Sequence, residues 1–340
     1  MTELAWLDQA GWKPATAGDF AFGEVVAETA AALHGTVVSP LIQLGAIRAT
    51  GAEAESFLQN QLSNDLGQLV PARAQLSSYN SPKGRVLDLF TLRREGEAIL
   101  LETRRDTLPA SLKRLRMFVL RSRVVLEDMA DAAFALGLAG PNAAALLEQC
   151  GLPVPAQDWD TLGADGVTVM RRPGSQARFS LHAAPARLQA LWPLLSARAR
   201  PVGTAAWRLL EVLAGLPAIR PETADHFVAQ MLNLDQLGAI SFTKGCYPGQ
   251  EIVARMHYLG NLKRRMFLCR SDAAEVLPGT DVVAAGVEGS TVGEVVHAAP
   301  HAEGGTALLA VLQLAHGQAE LRLGTPDGAA LSIVSGPATA

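Results

Sequence analysis

Cysteine and long apolar runs are both scarce in this sequence, and each scarcity excludes a class of protein. Only three cysteines occur, Cys150, Cys246 and Cys269, which excludes a disulfide framework and indicates a reducing compartment. The longest apolar run, "TALLAVLQLA", ends at Ala315 and is far shorter than the ~18 residues of a membrane-spanning helix. The N-terminus has no basic segment leading into an apolar stretch, so we expect no secretory leader. These absences predict a cytoplasmic protein without a membrane partner.

Positive charge is also limited. The net charge is −4 over 340 residues, so the molecule as a whole is not an electrostatic binder of nucleic acid. Seven basic residues cluster between Arg104 and Arg123, but no aromatic platform interleaves with them, so we predict a solvated helix face and no direct nucleic-acid partner. The histidines have no metal-ligand spacing relative to the cysteines, and no metal site is predicted.

What is present is typical of a globular chain of about two domains, since 49 % of the residues are apolar and 18 % are charged. Up to about residue 200, strand-like and helical patterns alternate in the manner of an α+β protein. Examples are a strand at Leu41 to Gly51, a hairpin turn at Asn80 to Gly84 and a helix beginning after Thr107. After residue 265, five or six short strands separated by glycine, proline and aspartate turns predict a β-barrel or sandwich.

One stretch carries candidate chemistry, "FTKGCYPGQEIVARMHY". Cys246 lies just before a predicted helix and two residues after Lys244, and both positive charges favour the thiolate and lower the thiol pKa from about 8.5. Gly245 and Gly249 allow the backbone to approach another molecule closely. The alternative is a buried cysteine that fills a crowded turn as a small apolar group. The residues alone leave both interpretations open, whereas Cys150 and Cys269 are predicted to be core residues.

The octet "KGCYPGQE", Lys244 to Glu251, resembles the signature K-G-C-[YF]-x-G-Q-[ED] of the YgfZ family. These proteins are folate-binding relatives of the glycine-cleavage aminomethyltransferase, or T-protein. The likeness extends to "TGAEAESFLQNQLSNDL", to the hairpin turn at Asn80 to Arg85 and to "AWRLLEVLAGLP". With the C-terminal strands, the resemblance covers nearly the whole chain.

The resemblance implies an α+β, T-protein-like folate-binding fold of two α+β subdomains and a C-terminal β-barrel. The implied folate-binding region covers residues 1–265. Within it, subdomain A takes about 36–128 plus 204–265, and subdomain B takes about 130–203. The barrel domain covers 266–336.

The resemblance also implies a function, that of a tetrahydrofolate-binding factor for the assembly or repair of iron–sulfur enzymes, with an indirect effect on tRNA modification. The partners implied are folate and iron–sulfur client enzymes or assembly proteins. Cys246 and Lys244 are the implied catalytic pair, with the Cys246 thiol near the mouth of the folate cavity. The implied cofactor-binding residues are Trp207, Tyr247, Gly249, Gln250, Glu251, Asp88 and Arg255. Trp207 is expected to stack on the folate, and a second aromatic position of some family members is Leu44 here.

The alternative is a folate-dependent aminomethyltransferase or demethylase of one-carbon metabolism with Asp88 as its base. True aminomethyltransferases have an Asp-Asp pair where this chain has Leu87 and Asp88. They also have R-x-E-A-G where it has Glu211 and Leu213 in place of the arginine and glutamate. Loss of these groups, together with the added thiol, favours the factor. A folate-free thiol oxidoreductase is disfavoured because the sequence offers no resolving cysteine.

Overall fold

The computed structural model describes residues 5–15, 19–132, 134–260, 262–284, 291–317 and 319–337. Two expectations lie partly outside this range. Residues 1–4 belong to the N-terminal segment in which we expect no secretory leader. One of the short strands predicted after residue 265, at 280–286, runs into the undescribed residues 285–290.

The helices end close to the positions that the glycine, proline and apolar spacing predict. None of the described helices is long and apolar enough to cross a membrane. The α-helices are α1 (Ala5–Gln9), α2 (Val25–His34), α3 (Ala54–Gln59), α4 (Leu108–Met117), α5 (Ala143–Gln149), α6 (Pro185–Ser196), α7 (Thr204–Leu213) and α8 (Gln250–Tyr258).

The strands form three large sheets and one short hairpin. They are β1 (Lys13–Pro14), β2 (Phe20–Ala21), β3 (Val37–Pro40), β4 (Leu44–Thr50), β5 (Gln75–Asn80), β6 (Val86–Glu95), β7 (Ala98–Arg104), β8 (Val125–Asp128), β9 (Phe134–Ala139), β10 (Thr161–Ala164), β11 (Val167–Arg171), β12 (Arg178–Ala183), β13 (Arg200–Pro201), β14 (Arg264–Ser271), β15 (Asp281–Ala284), β16 (Thr291–Pro300), β17 (Thr306–Gln313), β18 (Leu321–Leu323) and β19 (Ala330–Ser335).

The first sheet is antiparallel, in the order β5-β6-β7-β4-β8. Helices α3 and α4 cover one face of it, where Phe57 and Leu112 pack against Phe90 and Leu101. Burying such apolar faces is the main favourable term in folding. The predicted hairpin, helix and returning strand between residues 75 and 128 are confirmed.

The second sheet has the order β10-β11-β12-β9-β3-β13, with only β3 and β13 parallel. Its strand β3 lies within the range predicted for subdomain A, and Val37 and Val38 pair with Ala139 and Leu138 of this second sheet. The first sheet begins at Leu44. The division into subdomains stays a proposal.

The C-terminal strands close into a barrel in the order β14-β17-β16-β15-β18-β19, so the predicted β-barrel is confirmed. Helix α7 lies between the second sheet and this barrel. Its residues Ala206 and Leu210 pack with β3 and β9, whereas Leu209 and Val212 pack with the barrel's Val311 and its neighbours. This position brings α7 side chains to the junction of all three units.

Candidate functional site

A cleft of about 80 Å³ opens between the two sheets, beside α7. It combines apolar walls with an unusual density of buried charged groups. Its lining residues are Leu44, Leu76, Asp88, Leu89, Thr91, Glu102, Thr103, Arg104, Trp159, Arg172, Glu211 and the segment 216–219. An apolar pocket with a few convergent polar groups is the usual form of a small-molecule site.

Asp88 on β6 is 1 % exposed and contacts no arginine, in contrast to an ordinary hairpin aspartate. Its carboxylate accepts hydrogen bonds from Ser111 Oγ at 2.5 Å, Thr103 Oγ1 at 2.7 Å and Thr107 Oγ1 at 3.2 Å. The sequence suggests that Thr107 caps the start of α4. It is the N-cap residue, but its hydroxyl makes no capping hydrogen bond. Burial raises the pKa of Asp88 to about 6, against the opposing effect of these hydrogen bonds. Asp88 is thus a carboxyl group that exchanges protons near neutral pH.

Glu102 on β7 is hydrogen-bonded to a residue of the second sheet. Arg172 donates a hydrogen bond to Glu102 and another, 3.0 Å long, to Ser180. His182 Nδ1 lies 3.6 Å from Glu102 Oε2, but burial and two nearby arginines lower the pKa of His182, so it is neutral at pH 7. The buried Arg172–Glu102 pair ties the two sheets together across the cleft.

Glu211 on α7 supplies a third carboxylate to the cleft. Burial works to raise the pKa of Glu211, but the charges of Arg178 and Arg172, with nearby His297, lower it overall. His297 of the barrel lies 3.8 Å away, beyond hydrogen-bond reach, and burial lowers the pKa of this histidine to about 4. We therefore attribute the ionised state of Glu211 chiefly to the two arginines.

Trp207 does not line the cleft, and its predicted stacking on folate stays a prediction. Its side chain is 1 % exposed and packs in the core between α7 and the second sheet. The Arg178 guanidinium lies over the indole, 4.8 Å from the ring centroid. Gly137 lies so close to the ring that a Cβ there would come within 2.5 Å of it. The indole found in the cleft is Trp159, with Arg172 at 5.9 Å from its centroid.

The thiol stretch forms a loop that leads into α8, as predicted, and the exposure of Cys246, which the residues alone left open, is resolved by the structure. Cys246 is exposed and free, and a Cβ at Gly245 would meet no other atom within 4 Å. Cys269 is buried, and burial raises its pKa to about 12. Cys150 is partly buried against the second sheet's core. The core prediction is therefore confirmed for Cys269, whereas Cys150 lies at the edge of the core, and Cys246 is the exposed thiol.

Lys244 is 8 % exposed, and its ammonium is directed into the protein. Nζ donates hydrogen bonds to the carbonyl oxygens of Gln59, Leu62 and Asn64, at 2.6, 2.7 and 2.9 Å. Burial lowers the pKa of Lys244 to about 8, and Asp65 partly opposes this effect. The lysine thus holds the end of α3 and the turn after it; its predicted catalytic role stays a prediction.

Gly249 approaches the protein's own chain rather than leaving room for another molecule. It has φ +78°, and a Cβ there would lie 2.5 Å from both Gly84 Cα and the Ser81 carbonyl oxygen. A Cβ at Gly84, with φ +70°, would in turn meet Ile252 at 2.8 Å. Two glycines from distant segments are therefore required for this one contact.

Of the predicted cofactor-binding residues, Asp88 alone lines the cleft. Tyr247 is buried beside Lys244, whose Nζ is 5.3 Å from its ring centroid. Gln250 is half-buried, and Glu251 and Arg255 are exposed on α8. Cys246 is not among the cleft's lining residues either, so the structure does not join the thiol and the cleft in one pocket.

The sequence patterns did not single out Glu102 and Arg172 of the cleft, or the buried Arg178 and His297 that lie close to Glu211. A usable signal was present, since Glu102 interrupts the apolar strand "AILLET" and Arg178 begins the strand "RFSLHA". A charge within a strand that reads as buried indicates a paired internal group. Among the described residues, no group of three or more His, Cys, Asp or Glu side chains is placed to hold a metal ion.

The comparisons with known proteins first define the class. Residues 4–241 match the profile of the GCVT N-terminal domain. The fold superimposes on the crystal structure of glycine cleavage system aminomethyltransferase T from Bartonella henselae with a TM-score of 0.81 at 20 % identity, over 98 % of this chain and 96 % of that one. The predicted α+β, T-protein-like fold is confirmed.

Sequence relatives narrow the class to a family. The tRNA-modifying protein YgfZ of Colwellia psychrerythraea (strain 34H) is 31 % identical over 253 residues, which are 74 % of this chain and 77 % of the relative. That of Edwardsiella ictaluri (strain 93-146) is 34 % identical over 273 residues, 78 % of this chain and 81 % of the relative. The chain belongs to the YgfZ family.

Proposed function

We propose that this protein is a tetrahydrofolate-binding factor for the assembly or repair of iron–sulfur enzymes, and that Cys246 is its reactive group. The observation that carries the proposal is the exposed Cys246 thiol in an octet that matches the family signature at every position. The relatives' name, tRNA-modifying protein, fits an indirect effect through iron–sulfur enzymes that modify tRNA. The partners on this proposal are those enzymes or their assembly proteins.

The cleft residues fit a pterin as ligand. A pterin is flat and apolar on its faces and carries N–H donors along one edge, and the cleft offers leucine and tryptophan walls with carboxylate acceptors. The ionised Glu211 is the acceptor best suited to that edge. The cleft measures about 80 Å³, and Arg104 in its lining is a cationic group available to the anionic tail of folate.

Tetrahydrofolate, when bound, supplies a carrier for one-carbon units. The protein's own contribution is to bind and orient it. Leu44, Leu76 and Leu89 exclude water from the ring, and Glu211 fixes its edge. Asp88 holds or releases a proton inside the cleft near neutral pH, because burial raises its pKa to about 6.

The experiment that tests the factor role is complementation. In a strain that lacks the gene, the Cys246→Ser variant is expected to leave iron–sulfur enzyme activities and tRNA thiomethylation at the level of the empty vector. Cys150→Ser, which changes a partly buried cysteine, is the matched control and is expected to restore both. Full restoration by Cys246→Ser would rule out the thiol as the working group.

The state of Asp88 favours a second candidate, a folate-dependent one-carbon enzyme with this residue as base. A carboxyl with a pKa of about 6 in a ligand cleft has the proton affinity that a general base needs. The test is incubation of the protein and its Asp88→Asn variant with tetrahydrofolate and aminomethyl or N-methyl donors. Formation of methylene-tetrahydrofolate by the parent but not the variant supports the enzyme, and no formation above the uncatalysed rate eliminates it.

A further inference from the structure

We propose that Lys244 is a positioning residue that anchors the Cys246 loop to the wall of the cleft, and that it takes no part in proton transfer at the sulfur. The proposal rests on the proposed function only in treating Cys246 as the reactive group. Its evidence is the set of hydrogen bonds around Nζ and the contacts that continue from them.

The hydrogen-bonding capacity of Lys244 is fully used. An ammonium has three N–H donors and no acceptor, and the three donors go to the carbonyls of Gln59, Leu62 and Asn64. Gln59 is the last residue of α3, where unpaired carbonyls carry partial negative charge and attract a cation. Lys244 could donate a proton elsewhere only by breaking a buried bond, whose unpaired carbonyl costs about 1–3 kcal/mol.

The contacts continue from Lys244 to the cleft through Asn64. While the Asn64 carbonyl accepts from Lys244, its side-chain Nδ2 donates to the carbonyls of Leu76 at 2.8 Å and Gly238 at 2.7 Å. The Leu76 side chain lines the cleft. The strand that forms one wall of the cleft and the loop that carries the thiol are thus fastened to the same asparagine.

The loop between its anchors is short, which limits where the sulfur travels. Lys244 holds one end, and the Gly249 contact with Gly84 holds the other. Tyr247 is buried between them. Only Gly245 and Cys246 are exposed in this interval, so fixing Lys244 fixes the place at which the thiol is presented.

The first test uses the unmodified protein and compares labelling of Lys244 with that of Lys83, an exposed lysine of the neighbouring turn. An accessible lysine whose pKa is lowered to about 8 has a larger neutral fraction at pH 7.5 than a lysine of ordinary pKa and reacts faster with acetic anhydride. An anchored Lys244 is expected to react at least about tenfold more slowly than Lys83, because its amine is buried and bonded. Labelling of Lys244 at the rate of Lys83 or faster would overturn the proposal.

The second test separates position from charge. In Lys244→Met, we expect amide hydrogen exchange of residues 62–66 and 244–249 to rise at least about tenfold, while the pH midpoint of Cys246 alkylation stays within about 0.3 unit of the parent value. Lys244→Arg is not expected to restore slow exchange, since a planar guanidinium does not satisfy three converging carbonyls. Lys83→Met is the matched control and is expected to change neither readout.

A different outcome of the second test would contradict the proposal. A rise of the alkylation midpoint in Lys244→Met that Lys244→Arg reverses, with exchange unchanged, would mean that the lysine acts on the thiol through its charge and would overturn the anchor. Neither test uses folate or a client enzyme. Their failure would leave the proposed function standing, and failure of the Cys246→Ser test would leave the anchor standing.

Discussion

The cleft and the thiol loop both contain buried charged residues, but the candidate functional groups are buried in the cleft and exposed in the loop. In the cleft, the reactive carboxyls are buried and already bonded, as Asp88 is by three hydroxyls and Glu102 by Arg172. In the loop, the reactive group is exposed, and only the residues that hold the loop are buried, Lys244 among them. Charged groups thus line the cleft, whereas in the loop the buried charge belongs to the anchor.

We infer from this difference that the cleft and the loop contact partners of different size. Polar groups that are paired in advance bind a small ligand without reorganisation, and a small cleft admits nothing larger. An exposed thiol on a short anchored loop is reached by a protein surface. Cys246 lies outside the cleft lining, so on the proposed function folate and the client enzyme would be bound in two different places.

The largest expected effect is in thiol reactivity. In the native protein we expect Cys246 to be alkylated by iodoacetamide on the order of 1000-fold faster than Cys269, because exposure and thiolate fraction govern the rate and burial raises the pKa of Cys269 to about 12. Mass spectrometry of tryptic peptides measures both rates. Equal rates in folded protein would contradict the exposed loop.

Next comes the anchor at Gly249. Gly249→Val is expected to lower the free energy of unfolding by about 3 kcal/mol, through left-handed backbone strain and overlap with Gly84. Gly215→Val is the control, since Gly215 has φ +68° but no neighbour within 4 Å of a built Cβ, and strain alone costs about 1 kcal/mol. Urea denaturation measures both, and equal losses would mean that the two loops are not in contact.

A somewhat smaller effect is expected from pH in the cleft. The folded-state pKa of Asp88 is raised from 3.8 to about 6, so its stabilising contribution is fully present below pH 4 and is lost as pH rises through 6. Between pH 4 and 7 the parent should lose roughly 2–3 kcal/mol relative to Asp88→Asn. Unfolding free energies at several pH values measure this, and parallel curves for the two proteins would show that Asp88 ionises freely.

The smallest expected effect is on tetrahydrofolate affinity, which distinguishes the cleft from the thiol loop as the binding site. Glu211→Gln is expected to weaken tetrahydrofolate binding about 10-fold or more, as loss of a charged hydrogen-bond partner does. Arg255→Ala, on the exposed face of α8, is expected to change the affinity less than about twofold, as an exposed side chain outside the site does. Calorimetric titration measures both. A reversed order would place the folate at the thiol loop instead.

Local patterns in the sequence predict most of the fold. The strand at Leu44–Thr50, the hairpin of β6 and β7, helix α8 and the barrel strands all follow from apolar spacing and turn residues. The strand order does not, because pairing of β3 with β9 joins segments far apart in sequence. Local patterns therefore do not predict which sheet β3 joins.

The site was harder to predict for the same reason. Cys246 is recognisable because its chemistry lies in adjacent residues, whereas its exposure could not be decided from them. Glu102 and Arg172 come from different sheets and become a pair only after folding. Trp207 shows the converse, since a residue that looks like a ligand contact is used by the core, and Trp159 occupies the cleft.

The mutual contact of Gly84 and Gly249 has a consequence for protein engineering. Transplanting the cysteine octet into another scaffold requires a glycine at the position of Gly84, because a side chain there would push against Ile252 and the incoming loop. The two segments are therefore one interchangeable part, although they are widely separated in the gene.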